Sequence, residues 1–222
     1  MSNNKNHYII AIDGPAGSGK STISKIMADR LGIRYIDTGA MYRAITLKAM
    51  RSKIDLSNET ELVTLARSTI VELGSGTKPS VFLDGEDVTN LIRTPELTNN
   101  IKFVAKVPGV RDEMVKLQRS VGKSGSSVLE GRDIGTVVFP DAKYKFYLDA
   151  AVKERALRRY KELVAKGGTV KLDDIEKDVT ARDESDFKRE VGPLRKADDA
   201  VVLDTTGLTI EEVVEKILSF IK

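Results

Sequence analysis

The run Gly14-Pro-Ala-Gly-Ser-Gly-Lys20-Ser21-Thr22 satisfies the pattern G-x-x-x-x-G-K-[ST]. The chemistry this pattern serves is capture of a polyphosphate. Its glycines let the backbone wrap so that N–H groups point inward, and the N-terminus of the following helix adds its dipole. Lys20 would reach the outer phosphates, and the Ser21 hydroxyl can ligate Mg²⁺. Gly14, Pro15, Ala16, Gly17, Ser18, Gly19, Lys20, Ser21 and Thr22 are thus the candidate nucleotide-binding residues. The same pattern can also be a tight strand–helix turn, so context decides. Tyr8–Asp13 is a short apolar run of the kind a buried parallel strand presents, and Ile23, Ile26, Met27 and Leu31 recur at helical spacing before Gly32. That is the setting the mechanism requires.

Three further clusters carry charge at useful spacing. In Asp37-Thr-Gly-Ala-Met-Tyr-Arg43, Thr38 is placed to cap a helix and Arg43 lies about one turn into it, a good clamp for a monophosphate. An ordinary cap with a solvated Arg explains the segment equally well. Glu130-Gly-Arg-Asp-Ile-Gly135 follows a third strand, so Arg132 and Asp133 face the crevice at the sheet's carboxyl edge. Glu130 either holds a Mg²⁺-bound water or is a plain strand-end carboxylate, and Asp13 receives no role. Arg155, Arg158 and Arg159 stand at i, i+3 and i+4 on one helix face, which by spacing alone is usually a solvated basic face. Arg182, Asp186 and Arg189 share a face if their stretch is helical.

Composition narrows the chemistry further. No Cys excludes disulfides, thiolate catalysis and Cys zinc sites, and a single His, His7, excludes a His metal cluster. Lys and Arg number 36 against 33 Asp and Glu, a net charge of +3 that does not imply nucleic acid. With 41% hydrophobic and 31% charged residues over 222 positions, the balance is that of a soluble globular chain. No apolar run reaches membrane-spanning length. The opening Met1–Asn6 is polar and the apolar stretch after it too brief for a signal peptide, so a cytoplasmic protein is expected.

The elements that must position these residues alternate. Strands are expected at Tyr8–Asp13, Ile33–Asp37, Val128–Glu130, Tyr144–Asp149 and Ala200–Asp204, each followed by helical sequence. The last helix opens with a capping box of Thr209 and Glu212. This is an α/β chain with a five-stranded parallel sheet covered on both faces. The gap between strands two and three far exceeds the dozen or so residues of a simple crossover. Within it, Thr69–Leu73 and Ser80–Leu83 read as strands joined across Gly74-Ser-Gly76. Asp84-Gly85 is a hairpin turn before Glu86–Val88, Thr94-Pro95 starts a helix, and a second helix begins near Pro108. The gap is an inserted small α+β unit. Gly167-Gly168 offers a joint between the basic helix and a second one carrying Leu172, Ile175 and Val179.

Three nucleotide-binding classes compete. A GTPase would carry a late Asn-Lys-x-Asp, and a nucleic-acid-remodelling ATPase a larger chain and an acidic strand-end pair; none of these is evident. A small-molecule kinase needs an anionic-acceptor site and a cationic cover, and both have candidates.

Taken together, Ile12–Thr22, Asp37–Arg43, Glu130-Gly-Arg-Asp-Ile-Gly-Thr-Val-Val-Phe-Pro140 and Arg182-Asp-Glu-Ser-Asp-Phe-Lys-Arg189 with Pro193-Leu194 resemble bacterial cytidylate kinases, of the nucleoside-monophosphate kinase group. The motifs run in that family's order across nearly the whole chain. The resemblance implies a P-loop kinase core at 1–37 and 128–222, with a helical lid at about 153–185, and a monophosphate-binding region at 38–127. It implies transfer of the γ-phosphoryl of ATP to CMP or dCMP with Mg²⁺, by a monomer that binds neither nucleic acid nor membrane. Catalytic roles are implied for Lys20, Arg155, Arg158 and Arg159, and metal ligation for Ser21 and Glu130. Thr38 and Asp186, with Arg182 close by, match positions that hold the sugar, and Tyr42 is a further substrate-binding residue. Arg43, Arg132 and Arg189 match its phosphate clamp. Arg111 and Asp133 match the readers of cytosine, and Lys102 falls where relatives place a small hydroxyl residue facing the base. Another acceptor, such as UMP or a non-nucleotide phosphate, and a non-catalytic nucleotide-binding regulator are the competing readings.

Overall fold

A computed structural model describes residues 7–74, 79–165 and 167–221. The apolar run after His7 forms β1 (Ile9–Asp13), and the chain continues through α1 (Lys20–Leu31), β2 (Arg34–Asp37), α2 (Thr38–Arg51) and α3 (Glu59–Ser68). The insert adds β3 (Val71–Leu73), β4 (Val81–Leu83), β5 (Glu86–Asp87), a 3-10 turn at Leu91–Arg93, α4 (Pro95–Ala105) and α5 (Pro108–Lys123). Then come β6 (Ser127–Gly131), a π-type turn at Ile134–Val138, β7 (Tyr144–Asp149), α6 (Val152–Ala165), α7 (Leu172–Phe187), β8 (Val201–Asp204) and α8 (Ile210–Leu218).

Five strands form a parallel sheet in the order β2-β6-β1-β7-β8. Each β1 side chain has a face to fill because period-2 alternation sends neighbours to opposite sides. Ile10 and Ile12 pack with Val128, Phe146 and Leu148 against α1 and α8. Ala11, Ile36 and Leu129 join α2, the insert helices and the small sheet in a second cluster. The insert therefore shares its core with one face of the main sheet. A third cluster of Ala156, Ile175 and Val179 lies wholly between α6 and α7.

Local signals account for most boundaries. Gly32 closes α1 in the left-handed conformation, and the Thr209–Glu212 capping box opens α8. Thr94 caps α4 through the Leu97 amide, with Pro95 in the first turn. Asp84 and Gly85 both take positive φ, as the tight β4–β5 turn demands. The β3–β4 connection expected at Gly74-Ser-Gly76 lies partly outside the described residues.

Three expectations need correction. Asp37, not Thr38, is the cap of α2: its carboxylate accepts from the Ala40 amide at 3.0 Å, while Thr38 is already helical. Helix α3, capped by Asn58, was not foreseen in the insert. Finally, α7 ends at Phe187, so Arg189 is not on one helical face with Arg182 and Asp186; the chain turns back and returns Arg189 to Asp186.

Candidate active site

Parallel register fixes the floor of the site. Asp13 lies opposite Gly131, and Asp37 opposite Glu130, at the carboxyl ends of three adjacent strands. Asp37 and Glu130 are a strand-end acidic pair that the sequence reading did not see, because the partners sit in strands separated by the whole insert.

The Gly14–Thr22 loop leaves β1 over this floor. Gly14 has φ +149, and a side chain there would collide with the Leu148 carbonyl; at Gly17, φ +77, one would press on Arg155. Lys20 is buried at the mouth of α1 and donates to the Pro15 carbonyl at 2.6 Å and Ser18 Oγ at 3.3 Å. Burial, then the positive charges of Arg132 and Arg182, push its ammonium well below the ordinary lysine range, opposed by Glu130 and Asp13. Ser21 Oγ donates to Glu130 Oε2 at 2.8 Å, and the Tyr35 hydroxyl to Glu130 Oε1 at 2.5 Å. Burial first, and Asp37 second, raise the Glu130 carboxyl. Thr22 is exposed one residue farther on.

Asp13, left without a role by the sequence, ties the floor together. It is buried, and its two oxygens accept from the amides of Ile134 (2.8 Å) and Gly135 (2.7 Å). It thereby holds the turn bearing Arg132 and Asp133 against the start of the phosphate loop. Burial lifts its pKa to about 6 despite those two bonds.

Facing Lys20 is a collection of arginines. Arg43 donates to Thr98 Oγ1 at 2.8 Å and to the Ile92 carbonyl at 3.3 Å. Burial lowers its pKa, and Arg93, Arg159 and Arg132 add to the effect while Asp37 opposes it. Arg182 is pushed down to about 10 by burial and then by Arg132, with Arg43 and Arg159 also near, and among the described residues it has no hydrogen-bond partner. Arg132 Nε donates to Asp186 at 2.8 Å, and Arg189 bonds the other Asp186 oxygen. Thr38 Oγ1 donates to the Glu130 carbonyl at 2.7 Å, so that hydroxyl ties α2 to β6. Arg93, which pairs loosely with Asp37 at 3.7 Å, was not foreseen in this group; its place on the 3-10 turn gives no periodicity to read.

Arg111 and Asp133 meet as a buried ion pair, and Arg111 also donates to the Ala105 carbonyl and stacks over the buried Tyr42 ring at 5.6 Å. Asp133 thus pairs with Arg111 and not with the neighbouring Arg132. Burial raises the Asp133 carboxyl against the pull of Arg111, and raises the Tyr42 phenol to about 12. Gly192, at φ +60, lies directly against this pair; a side chain there would strike both groups. Lys102 does not join the cluster. It is exposed on α4, with its ammonium 5.1 Å from the Phe103 ring centre.

The three arginines of α6 divide. Arg155 is buried and gives its donors to the Ala150 and Ala16 carbonyls and to Asp183, at 2.8, 2.9 and 2.5 Å. Arg158 donates to the Thr205 carbonyl (2.6 Å), Thr205 Oγ1 and Glu154. Arg159 pairs with Glu162 at 2.7 Å on the exposed side while its charge is felt at Arg43 and Arg182. Equal spacing on a helix face does not give equal surroundings, because Arg155 is buried against Ala16 and Asp183 while Arg158 turns to Thr205 and Arg159 to the exposed Glu162.

The arrangement offers a backbone cradle with a buried cation, an acidic strand edge beside it, and an arginine group opposite. Such a site can bring two phosphorylated molecules together. The cytidylate kinase family profile matches residues 10–222. A cytidylate kinase of Desulforamulus reducens is 52% identical over 216 residues, covering 97% of each chain. One from Clostridioides difficile (strain 630) is 51% identical over 213 residues, covering 96% of this chain and 97% of the relative. Among solved structures, an Acinetobacter baumannii shikimate kinase in complex with shikimate superposes with a TM-score of 0.50 at 14% identity, covering 98% of this chain and 94% of its own, a likeness of fold alone. With near-complete coverage at about half identity, the chain belongs to the cytidylate kinase family.

Proposed function

We propose that this protein transfers the γ-phosphoryl group of ATP to CMP or dCMP, giving ADP and CDP or dCDP. One observation carries the reading. Arg43, Arg132, Arg159 and Arg182 converge opposite Lys20, and Arg182 has no hydrogen-bonded partner among the described residues. Asp186 offsets only part of the repulsion that Arg132, Arg43 and Arg159 exert on Arg182, and a phosphorylated substrate relieves the rest. Phosphoryl transfer needs in-line positioning, charge neutralisation and exclusion of water more than covalent help.

On this reading Gly14–Thr22 hold the donor phosphates, with Lys20 released from Pro15 and Ser18 to meet them. Arg43, Arg132 and Arg189 take the acceptor phosphate. Thr38, Tyr42, Arg182 and Asp186 border the sugar, and Arg111 with Asp133 reads the base. Region 38–127 supplies the acceptor side, and α6–α7 form a cover bringing Arg158 and Arg159. Arg155 is a positioning residue in this scheme, since its donors are engaged by Ala150, Ala16 and Asp183.

The donor set fits Mg²⁺: the Ser21 hydroxyl and the Glu130 and Asp37 carboxylates are hard oxygens at the cradle's edge. Among the described residues no His/Cys/Asp/Glu group forms a complete protein cage. When bound, Mg²⁺ neutralises phosphate charge. Ser21 and Glu130 would hold it, directly or through water.

No helix among the described residues is long and apolar enough to cross a membrane. A coupled ADP-release assay over CMP, dCMP, UMP and AMP tests the reading. Turnover is expected with CMP and dCMP, and its absence with every acceptor would overturn the proposal.

A further inference from the structure

The buried partner of Arg155, Asp183, has so far been given no role of its own. Asp183 of α7 accepts from the Ala16 amide at 3.2 Å, Arg155 of α6 donates to the Ala16 carbonyl at 2.9 Å, and the two side chains bond each other at 2.5 Å. Both polar groups of one phosphate-loop residue are thus held by a closed ring of hydrogen bonds from two helices. The Arg155 and Asp183 side chains are only 5% and 10% exposed, so water does not compete for these bonds. The base of α6 is seated as closely, since a Cβ at Gly17 would come within 3.0 Å of the Arg155 carbonyl.

The neighbour of Asp183 in the chain is Arg182, whose charge lies among Arg132, Arg43 and Arg159 on the acceptor side. Adjacent residues of α7 therefore serve two different sites. Asp186, one turn on, anchors Arg132 and Arg189. Hinge-like joints do not separate these positions, because α7 is continuous from Leu172 to Phe187.

We infer that Asp183, with Arg155, is a positioning residue that couples the two nucleotide sites: an anion engaging Arg182 shifts α7, and Asp183 carries that shift to the Ala16 peptide of the phosphate loop. The inference rests on the kinase reading above and adds to it a residue and a direction of coupling. By linkage, the coupling is reciprocal: CMP must tighten the donor nucleotide by the same factor as the donor tightens CMP. Asp183 touches neither ligand in this scheme and acts through the backbone.

The test is calorimetric titration of a non-hydrolysable ATP analogue with Mg²⁺, with and without saturating CMP. The wild type is expected to bind the analogue at least about fivefold more tightly when CMP is present. In Asp183→Asn and Asp183→Glu that factor should fall toward one while CMP alone binds nearly as before. Amide exchange on the wild type supplies a second reading that needs no variant: CMP alone should increase protection at Ala16 and Gly17. An undiminished coupling factor in a folded variant, or unchanged protection at Ala16, overturns the inference. Failure of CMP to bind the wild type at all removes the kinase reading itself, and the inference with it.

Discussion

Arg111 and Asp133 neutralise each other in the interior, with side chains only 2% and 8% exposed, one from α5 and one from the turn after β6. A pair so placed can present the Asp133 carboxylate to a 4-amino donor and the guanidinium to the N3 or O2 acceptors of cytosine. Uracil reverses both signs. Asp133→Ala should therefore cut activity on CMP much more than on UMP. It also strands the buried Arg111 charge, and the thermal stability should drop by about 3–5 kcal/mol. Steady-state rates on both substrates decide the matter; an equal fall on CMP and UMP reduces Asp133 to a structural partner of Arg111.

Lys20→Met should separate function from folding. The ammonium is buried beside Arg132 and Arg182, so its loss relieves repulsion and should leave the melting temperature unchanged or higher. Turnover should fall by about 10²- to 10³-fold, the cost of losing one preorganised donor at the transferring group. Near wild-type turnover in the folded variant would sink the phosphate-loop assignment.

Arg43→Met should act on the acceptor. The residue bonds Thr98 and the Ile92 carbonyl, so a stability loss of about 1 kcal/mol is expected. A charge-assisted contact of roughly 1.5–3 kcal/mol lost from the acceptor phosphate lowers kcat/KM for CMP by about 10- to 150-fold. Titration of an ATP analogue alone should barely change. Equal weakening of both nucleotides places Arg43 elsewhere.

Asp13 gives a pH signature. Its native pKa of about 6 lies above the ordinary 3.8, so between those values the folded state binds the proton more tightly than the unfolded state. Its contribution to stability is then fully present below about pH 4 and is lost as pH rises through about 6, by at most about 3 kcal/mol. Glu130 and Asp133 are also raised, so the comparison needed is wild type minus Asp13→Asn, by denaturant unfolding from pH 4 to 7. A flat difference across that range rules out the elevated value.

Protease protection reports the cover. Cleavage around Gly167-Gly168 should slow when ATP and CMP are both present, because Arg158 and Arg159 then gain phosphate partners. Identical rates with and without nucleotides would argue that α6 and α7 keep one position throughout.

What could be read from the sequence was what the chain states locally. The β1–loop–α1 unit, the Thr94-Pro95 start of α4 and the Thr209–Glu212 box each lie within a few residues, where steric and capping preferences act directly. Partners across the chain were not legible. Nothing in Glu130-Gly-Arg-Asp says that Asp133 turns to Arg111 while Arg132 turns to Asp186. Parallel register alone brings Asp37 beside Glu130, and that register is set by the cores on both faces of the sheet. Spacing likewise put Arg155 in one group with Arg158 and Arg159, yet only the tertiary fold decides that Arg155 is spent on Ala16 and Asp183.

The private core of α6 and α7 has a consequence for endurance. Ala156, Ile175 and Val179 are few compared with the residues buried on either face of the sheet, so this hairpin is a unit that opens locally at a smaller free-energy cost than global unfolding. The same hairpin supplies both side chains that grip Ala16. On warming, the grip should therefore fail before the sheet melts, and catalysis should fade at temperatures where far-ultraviolet circular dichroism still reports an intact fold. Cooling after brief exposure to that intermediate range should find activity restored, since the sheet and its register survive to receive the hairpin again.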